Sequence, residues 1–149
     1  MSLALITSGA YVGDELSAEF GRIPPSFLPV GNSRLFNLQA ESLNRVADTI
    51  VLTLPDSYKI KKYDRELLNK LNIKVVFVPE DLVLGESIVF ALKYVGIEDV
   101  PLIILHGDTL FPDLSKIDEN VVSINSVPAF YHWAVCIHNK DGSYRFRPL

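Results

Sequence analysis

Up to Asp113, short continuous apolar runs alternate with stretches in which apolar residues recur at helical spacing. The continuous runs predict strands over Leu3 to Thr7, Thr49 to Leu54, Ile73 to Val78 and Pro101 to Leu105. The periodic stretches predict helices over Arg34 to Ala47, Asp64 to Leu71 and Gly85 to Val95. Continuously apolar strands are typical of a sheet that is buried on both faces, so this alternation predicts a parallel sheet between layers of helices.

After Asp113 the pattern changes to strands without helices between them. These strands are predicted over Val121 to Asn125, Tyr131 to His138 and Ser143 to Phe146. Asp141-Gly142 is a turn signal that joins the last two strands into an antiparallel hairpin. No repeat, low-complexity tract or linker divides the chain, so residues 1–149 are predicted to form one three-layer α/β domain, with a mainly parallel sheet and a C-terminal hairpin.

Composition and charge exclude several classes of protein. The apolar fraction of 48% and the charged fraction of 21% are those of a soluble globular domain. A net charge of -4 argues against a general binder of nucleic acid or anionic membranes, because both need a basic surface. No apolar run approaches the ~18 residues of a membrane span, and no signal peptide is recognisable, so a cytoplasmic location is expected. The single cysteine, Cys136, excludes an internal disulfide and a cysteine-rich zinc site.

The loops that follow the strands are where a ligand is expected. Because β-α-β crossovers are right-handed, these loops all lie at the carboxyl edge of the sheet, where open sheets bind ligands. Gly9, Pro55, Pro79 and Asp108 follow the four predicted strands and are expected at this edge. The connection from Gly9 to Ser26 is unusually long, which is typical of functional or mobile loops.

Four motifs and a final hairpin follow one another in a recognisable order. They are the loop with Ser8, Gly9 and Gly13, the segment Pro25-Ser26-Phe27-Leu28-Pro29-Val30, the segment Leu84-Gly85-Glu86-Ser87, the pair Gly107-Asp108, and the hairpin that closes as Phe146-Arg147-Pro148. Over nearly the whole chain this order resembles the N-terminal part of the sugar-1-phosphate nucleotidyltransferase family, whose Rossmann-like domain joins an NTP to a sugar phosphate.

The resemblance implies a fold, a pathway and a set of contacts. It implies a GT-A-like domain related to sugar-nucleotide synthesis for polysaccharide or cell-surface glycans, with a nucleotide or sugar phosphate as its ligand. The nucleotide-binding residues that it implies are Ser8, Gly9, Gly13, Ser26, Gly85 and Gly107. Asp108 corresponds to the family's magnesium-binding aspartate, so Mg²⁺ is the implied cofactor. Since a second aspartate of the family lies further downstream, the protein is expected to continue beyond Leu149.

Two substitutions put the transfer activity in question. Glu15 and Ser26 stand where the family has an arginine and a lysine that balance the charge of the triphosphate. Such charge compensation is the main contribution of a protein to phosphoryl-type transfer. Losing a cation that is worth roughly 10³–10⁵ in rate removes about 4–7 kcal/mol of transition-state stabilisation. Arg22 or Arg34 could supply a replacement from nearby, because a guanidinium suits phosphate.

Two other functions remain open at this point. The first is a non-catalytic nucleotide- or sugar-nucleotide-binding module with a regulatory role. The second is a phosphohydrolase, because Gly107-Asp108-Thr109-Leu110 superficially resembles the Asp-Gly-Thr-Leu of haloacid-dehalogenase-type enzymes, although His106 stands where that family needs a carboxylate. His106, His132 and His138 are each expected to be structural, and an aspartate that caps the turn before Pro112 is the alternative role of Asp108.

Overall fold

The computed structural model describes residues 1–97, 99–111, 113–114, 122 and 135–147. Its elements in chain order are β1 (Leu3–Thr7), α1 (Asp14–Phe20), a 3₁₀ turn (Pro25–Phe27), β2 (Pro29–Val30), β3 (Ser33–Arg34), α2 (Leu35–Leu43), β4 (Thr49–Pro55), α3 (Lys62–Lys70), β5 (Ile73–Val78), α4 (Leu84–Val95), β6 (Leu102–His106), β7 (Val135–His138) and β8 (Tyr144–Arg147). The sheet lies in one compact unit, Met1–Ile117, and the β7–β8 hairpin in a second, Asp118–Leu149.

The central sheet is parallel, as predicted. Its four strands lie in the order β5-β4-β1-β6, and every neighbouring pair is parallel. The loops that contain Gly9 and Asp108, and the chain that follows Pro55 and Val78, therefore all leave the sheet at its carboxyl edge. The mixed α/β architecture and the shared edge are confirmed.

Helices cover both faces of this sheet. Ala4 and Ile6 of β1 pack with residues of α2 and α3 on one face. Leu3 and Leu5 of the same strand pack with α4 on the other face. The alternation of side chains along a strand explains this division, because successive residues point to opposite faces. The helix-sheet-helix layering of the first unit follows from it.

The prediction of burial on both faces is correct for the central strands and wrong for the edges. All of β1 and nearly all of β4 is buried. Phe77 of the edge strand β5 is exposed, and so are Leu102 and Ile104 of the opposite edge strand β6. Leu102 and Ile104 pair with Leu3 and Leu5 and so lie on the α4 face, where α4 packs mainly over β1 and β5. Phe77 pairs with Leu54 and lies on the opposite face, at the free edge of the sheet. An apolar run thus identified these strands without showing that they lie at the edges.

Several element boundaries differ from the sequence prediction. Helix α2 ends at Leu43, earlier than Ala47, and residues 44–46 form a turn in which the Val46 N–H donates to the Leu43 carbonyl three residues back. Helix α1 and the short β2–β3 hairpin were not predicted. The β7–β8 hairpin is antiparallel as predicted, and Gly142 has a φ of +84° in its turn. Of the predicted strand Val121 to Asn125 only Val122 is described, and residues 131–134 of the predicted strand Tyr131 to His138, His132 among them, also lie outside the described residues. Within the described part of the chain, none of the helices could cross a membrane.

Candidate functional site

The loop after β1 approaches its neighbours so closely that it needs glycine. A Cβ added to Gly9 would lie 2.5 Å from Cγ2 of Val78 and 3.1 Å from Oγ of Ser87. The preceding residue is fixed as well, because the Ser8 N–H donates to Oγ1 of Thr53 at 2.9 Å. Packing within the protein therefore explains Gly9, and the contact with Ser87 brings this loop against the first turn of α4.

Ser8, Ser26 and Gly107, three of the predicted binding residues, meet in one buried hydrogen-bond network. The Ser26 N–H donates to Oγ of Ser8 at 3.0 Å, and Oγ of Ser26 donates to the Gly107 carbonyl at 3.1 Å. The Gly107 N–H donates to the Thr7 carbonyl at 2.9 Å. Ser26 thus joins the loops after β1 and β6. Nothing in this network tests contact with a nucleotide, which stays a prediction.

Gln39 holds the loop after β6 from within α2. This buried side chain donates from Nε2 to the carbonyls of His106, Gly107 and Thr109 at 3.2, 3.1 and 2.8 Å. Its Oε1 accepts no hydrogen bond among the described residues. Sequence reasoning missed Gln39. The available signal was a polar residue four positions after Leu35 on the apolar face of a helix.

Asp108 lies within the loop that Gln39 binds, between Gly107 and Thr109, and its side chain is exposed. Its Oδ1 accepts a hydrogen bond from Oγ1 of Thr109 at 3.1 Å. In the part of the chain that the structure describes, no group of three His, Cys, Asp or Glu residues could hold a metal ion. Mg²⁺ is commonly bound by one or two carboxylates together with substrate phosphates. Asp108 offers a single carboxylate, so a magnesium ion there would also need phosphate oxygens of a ligand, and Mg²⁺ stays a prediction.

Gly85 and Gly13 differ from the other glycines of the predicted site. A Cβ added to either would have no described atom within 4 Å, and neither has a positive φ. Gly85 lies in the exposed first turn of α4, two residues before the Ser87 that contacts Gly9. Packing among the described residues therefore does not require glycine at position 85, and none of them covers the surface above it. Gly13 is the residue before α1, and its carbonyl accepts a hydrogen bond from the Ser17 N–H of that helix.

Glu15 lies in the first turn of α1 together with Asp14, and both are exposed. Carboxylates are favourable at this position, because the helix macrodipole places partial positive charge at the N-terminus. The acidic loop thus has a local structural explanation. Sequence reasoning missed α1 because none of its residues is buried, so no apolar stripe marks it.

Arg34 is committed to a buried ion pair. Its Nε donates to Oδ1 of Asp64 at 2.9 Å and its Nη2 to Oδ2 at 3.4 Å, while Nη1 donates to the Phe27 carbonyl at 3.0 Å. The Asp64 side chain is 1% exposed. Burial, and then the negative charge of Asp64, raise the pKa of the nearby Tyr58 phenol to about 12. Arg34 is therefore not available to a phosphate unless this pair breaks.

Arg22 belongs to an exposed cluster that we call the loop cluster, made of Tyr11, Arg22, Ser57 and Glu80. Nη2 of Arg22 donates to Oε2 of Glu80 at 2.6 Å, and the guanidinium carbon lies 4.0 Å from the centre of the Tyr11 ring. Oγ of Ser57 donates to Oε1 of Glu80 and bonds to the Tyr11 hydroxyl at 2.7 Å. The cluster joins the loops after β1, β4 and β5, and only Arg22 was singled out from the sequence.

At the carboxyl edge, four of these residues are joined by buried hydrogen bonds and two are exposed. The buried set, which we call the floor of the site, consists of Ser8, Ser26, Gln39 and Gly107. The exposed set consists of Gly85, at the start of α4, and Asp108. No protein-family model matches the chain, and neither a curated protein nor a solved structure is significantly similar to it, so the family resemblance of the motifs stays a prediction.

Proposed function

We propose that the chain is a GT-A-like, nucleotidyltransferase-like domain that binds a nucleotide or sugar nucleotide, with a role in sugar-nucleotide synthesis for polysaccharides or cell-surface glycans. One observation carries the proposal. The unpacked Gly85 at the start of α4 lies on the same sheet edge as Gly9, Gly107 and Asp108. Ligands of open α/β sheets bind at this edge, in the crevice outside the carboxyl ends of the strands.

The open helix start supports a specific placement of the ligand. The first N–H groups of α4 have no partner within the helix, and they favour an acceptor on the ligand. Gly85 lets a flat base approach the backbone without meeting a side chain. Ribose and phosphate would then extend past Gly9 toward Asp108. This order of contacts matches the order across the sheet of the strands that precede these residues, β5, β1 and β6.

Binding is better supported than transfer. Glu15 and Ser26 supply no positive charge where the family places two cations, and Arg34 is held by Asp64. Transfer of a nucleotidyl group needs preorganised positive charge around the phosphates, where it stabilises the transition state. A nucleoside or monophosphate should therefore bind more tightly than a triphosphate, because the triphosphate adds negative charge near Glu15.

The chain is expected to bind a nucleoside and its monophosphate, and Gly85→Val is expected to weaken both at least tenfold, or about 1.4 kcal/mol. The valine would occupy the space of the base, since no described atom outside its chain neighbours and its own helix backbone lies within 4 Å of the added Cβ. Calorimetric titration of a nucleoside, its monophosphate and its triphosphate, with and without Mg²⁺, measures these affinities.

Asn69→Ala is the matched control for this titration. It changes an exposed helical residue of α3, in the layer on the other side of the sheet, and should leave every affinity unchanged. Unchanged nucleoside binding in the Gly85→Val variant would contradict the placement of the base. Triphosphate binding tenfold tighter than monophosphate binding would show that a cation holds the phosphates, and the transfer reading would then be favoured.

This chain is also expected to release no pyrophosphate from any NTP and sugar phosphate above background. The expectation follows from the two missing cations, since the loss of one alone costs about 4–7 kcal/mol in the transition state. A coupled pyrophosphate assay, with an active pyrophosphorylase as the positive control, measures it. Turnover at ordinary enzyme rates that disappears in Asp108→Ala would show that the chain is an enzyme.

A further inference from the structure

The carboxylate of Glu80 is held by groups from two other loops. Its Oε2 accepts from Nη2 of Arg22 at 2.6 Å, and its Oε1 accepts from Oγ of Ser57. Tyr11 supports both donors, because its ring lies under the Arg22 guanidinium and its hydroxyl bonds to Ser57 at 2.7 Å. Both oxygens of one anion are thus bound by donors that come together only when the loops after β1 and β4 meet.

Such a set of donors suits anions other than this carboxylate. A guanidinium makes short charge-assisted hydrogen bonds to carboxylate and phosphate oxygens alike, and a hydroxyl adds a neutral donor. We infer that Arg22, Ser57 and Tyr11 form a phosphate-binding site that Glu80 occupies in the free protein, and that a phosphate group of the ligand displaces Glu80. The inference rests on the proposed function for the identity of the ligand, and it concerns one phosphate group, which competes with the carboxylate of Glu80 for Arg22.

Exposure decides which arginine can take this role. The side chains of Arg22 and Glu80 are 65% and 36% exposed, so water can solvate both partners when they separate. Exposed ion pairs are weak for this reason. The Asp64 partner of Arg34 is 1% exposed and would be left as a buried charge if Arg34 moved. Arg22 is therefore the arginine that can exchange its partner without disturbing the core.

The cluster lies at the carboxyl edge with the rest of the site, on the β4 and β5 side of Gly9, whereas Asp108 lies on the β6 side. Arg22 lies in the loop that begins at Gly9, and the Val12 N–H bonds to the Ile23 carbonyl at 3.0 Å, which brings the two ends of this loop together. Glu80 follows β5, as Gly9 follows β1, so both lie at the carboxyl edge. When a phosphate displaces Glu80 from Arg22, the hydrogen bond between Tyr11 and Ser57 would still join the loops after β1 and β4. The loop after β5, which contains Glu80, would be released from both.

The removal of Glu80 is expected to strengthen anion binding. In titrations of the full chain with inorganic pyrophosphate at low salt and without divalent metal, Glu80→Gln should bind at least fivefold more tightly than the wild type. An internal competitor reduces the apparent affinity by the fraction of molecules in which the site is free, and the substitution removes that competitor. The double variant Arg22→Gln with Glu80→Gln should lose the whole gain, and Ser57→Ala with Glu80→Gln should lose part of it.

Glu66→Gln is the matched control. It also removes one exposed carboxylate from an ion pair, with Lys62 at 4.0 Å, and so changes the net charge equally. Its affinity for pyrophosphate should stay within twofold of the wild type. The inference is overturned if Glu80→Gln behaves like Glu66→Gln, if the gain survives removal of Arg22, or if Glu80→Gln does not bind pyrophosphate.

The probe separates this inference from the proposed function. Pyrophosphate has no base, so its binding does not depend on the surface at Gly85. Failure of every nucleoside to bind, with the expected pyrophosphate series intact, would remove the nucleotide proposal and leave the anion site. If nucleoside binding depends on Gly85 but all the variants bind pyrophosphate with equal affinity, the anion site would be removed and the nucleotide proposal would remain.

Discussion

Arg34→Met is expected to lower the free energy of unfolding by about 3 kcal/mol. Removing one partner of a buried ion pair leaves an uncompensated charge, which typically costs about 3–5 kcal/mol. We place the effect at the low end because the Arg34 side chain is 29% exposed, so water would reach Asp64 from that side. The Phe27 carbonyl would also lose its donor. Urea unfolding at neutral pH, followed by circular dichroism, measures the change.

Two further variants show whether the ion pair is the cause. Arg65→Met removes the same charge from an exposed position on α3 and should change stability by less than about 0.5 kcal/mol. Combining Arg34→Met with Asp64→Leu should recover most of the loss, because paired apolar residues can replace a buried ion pair. A loss below about 1 kcal/mol in Arg34→Met, or additive losses in the double variant, would contradict the explanation.

The same ion pair bears on function. From the sequence, Arg22 and Arg34 were equivalent candidates for the missing phosphate cation. The structure separates them by the exposure of their partners, since Asp64 is buried and Glu80 is half-exposed. An arginine that stabilises the core is a poor choice for a ligand contact that must form and break. This difference makes Arg22 the residue to test.

The sequence predicted the sheet well because the information is local. An apolar run such as Leu3 to Thr7 identifies a strand by itself, and the helices between the strands require parallel crossovers. The shared carboxyl edge then follows because parallel strands all end at the same edge of the sheet. Helix α1 could not be predicted in the same way, because it buries no residue and so carries no periodic signal.

The contacts of the site could not be predicted because they join distant parts of the chain. Gln39 reaches Thr109 across 70 residues, and Arg34 reaches Asp64 across 30. A polar residue on an apolar helix face indicates a buried partner without saying which one. Glu80 had no motif at all, and only the meeting of three loops shows that its carboxylate is bound.

Gly107→Ala is expected to lower the free energy of unfolding by about 2–3 kcal/mol, the usual upper range for overpacking a buried position. The new Cβ would lie 2.7 Å from the Thr7 carbonyl oxygen and 2.9 Å from Cβ of Ser8. Neither atom can retreat easily, because Thr7 is paired with His106 in the sheet. Relief would have to come from the loop after β6, where the bond from Oγ of Ser26 to the Gly107 carbonyl would lengthen.

Gly85→Ala is the matched variant, because it makes the same chemical change where no described atom lies within 4 Å. In the first turn of α4 it should be neutral or stabilising by up to about 1 kcal/mol, since alanine favours the helix. Urea unfolding of the two variants should therefore separate them by about 3 kcal/mol. Equal stabilities would mean that the loop after β6 can move away from β1. Gln39 and Ser26 would then not hold Asp108 in place, and the interpretation of the floor as a fixed part of the site would be contradicted.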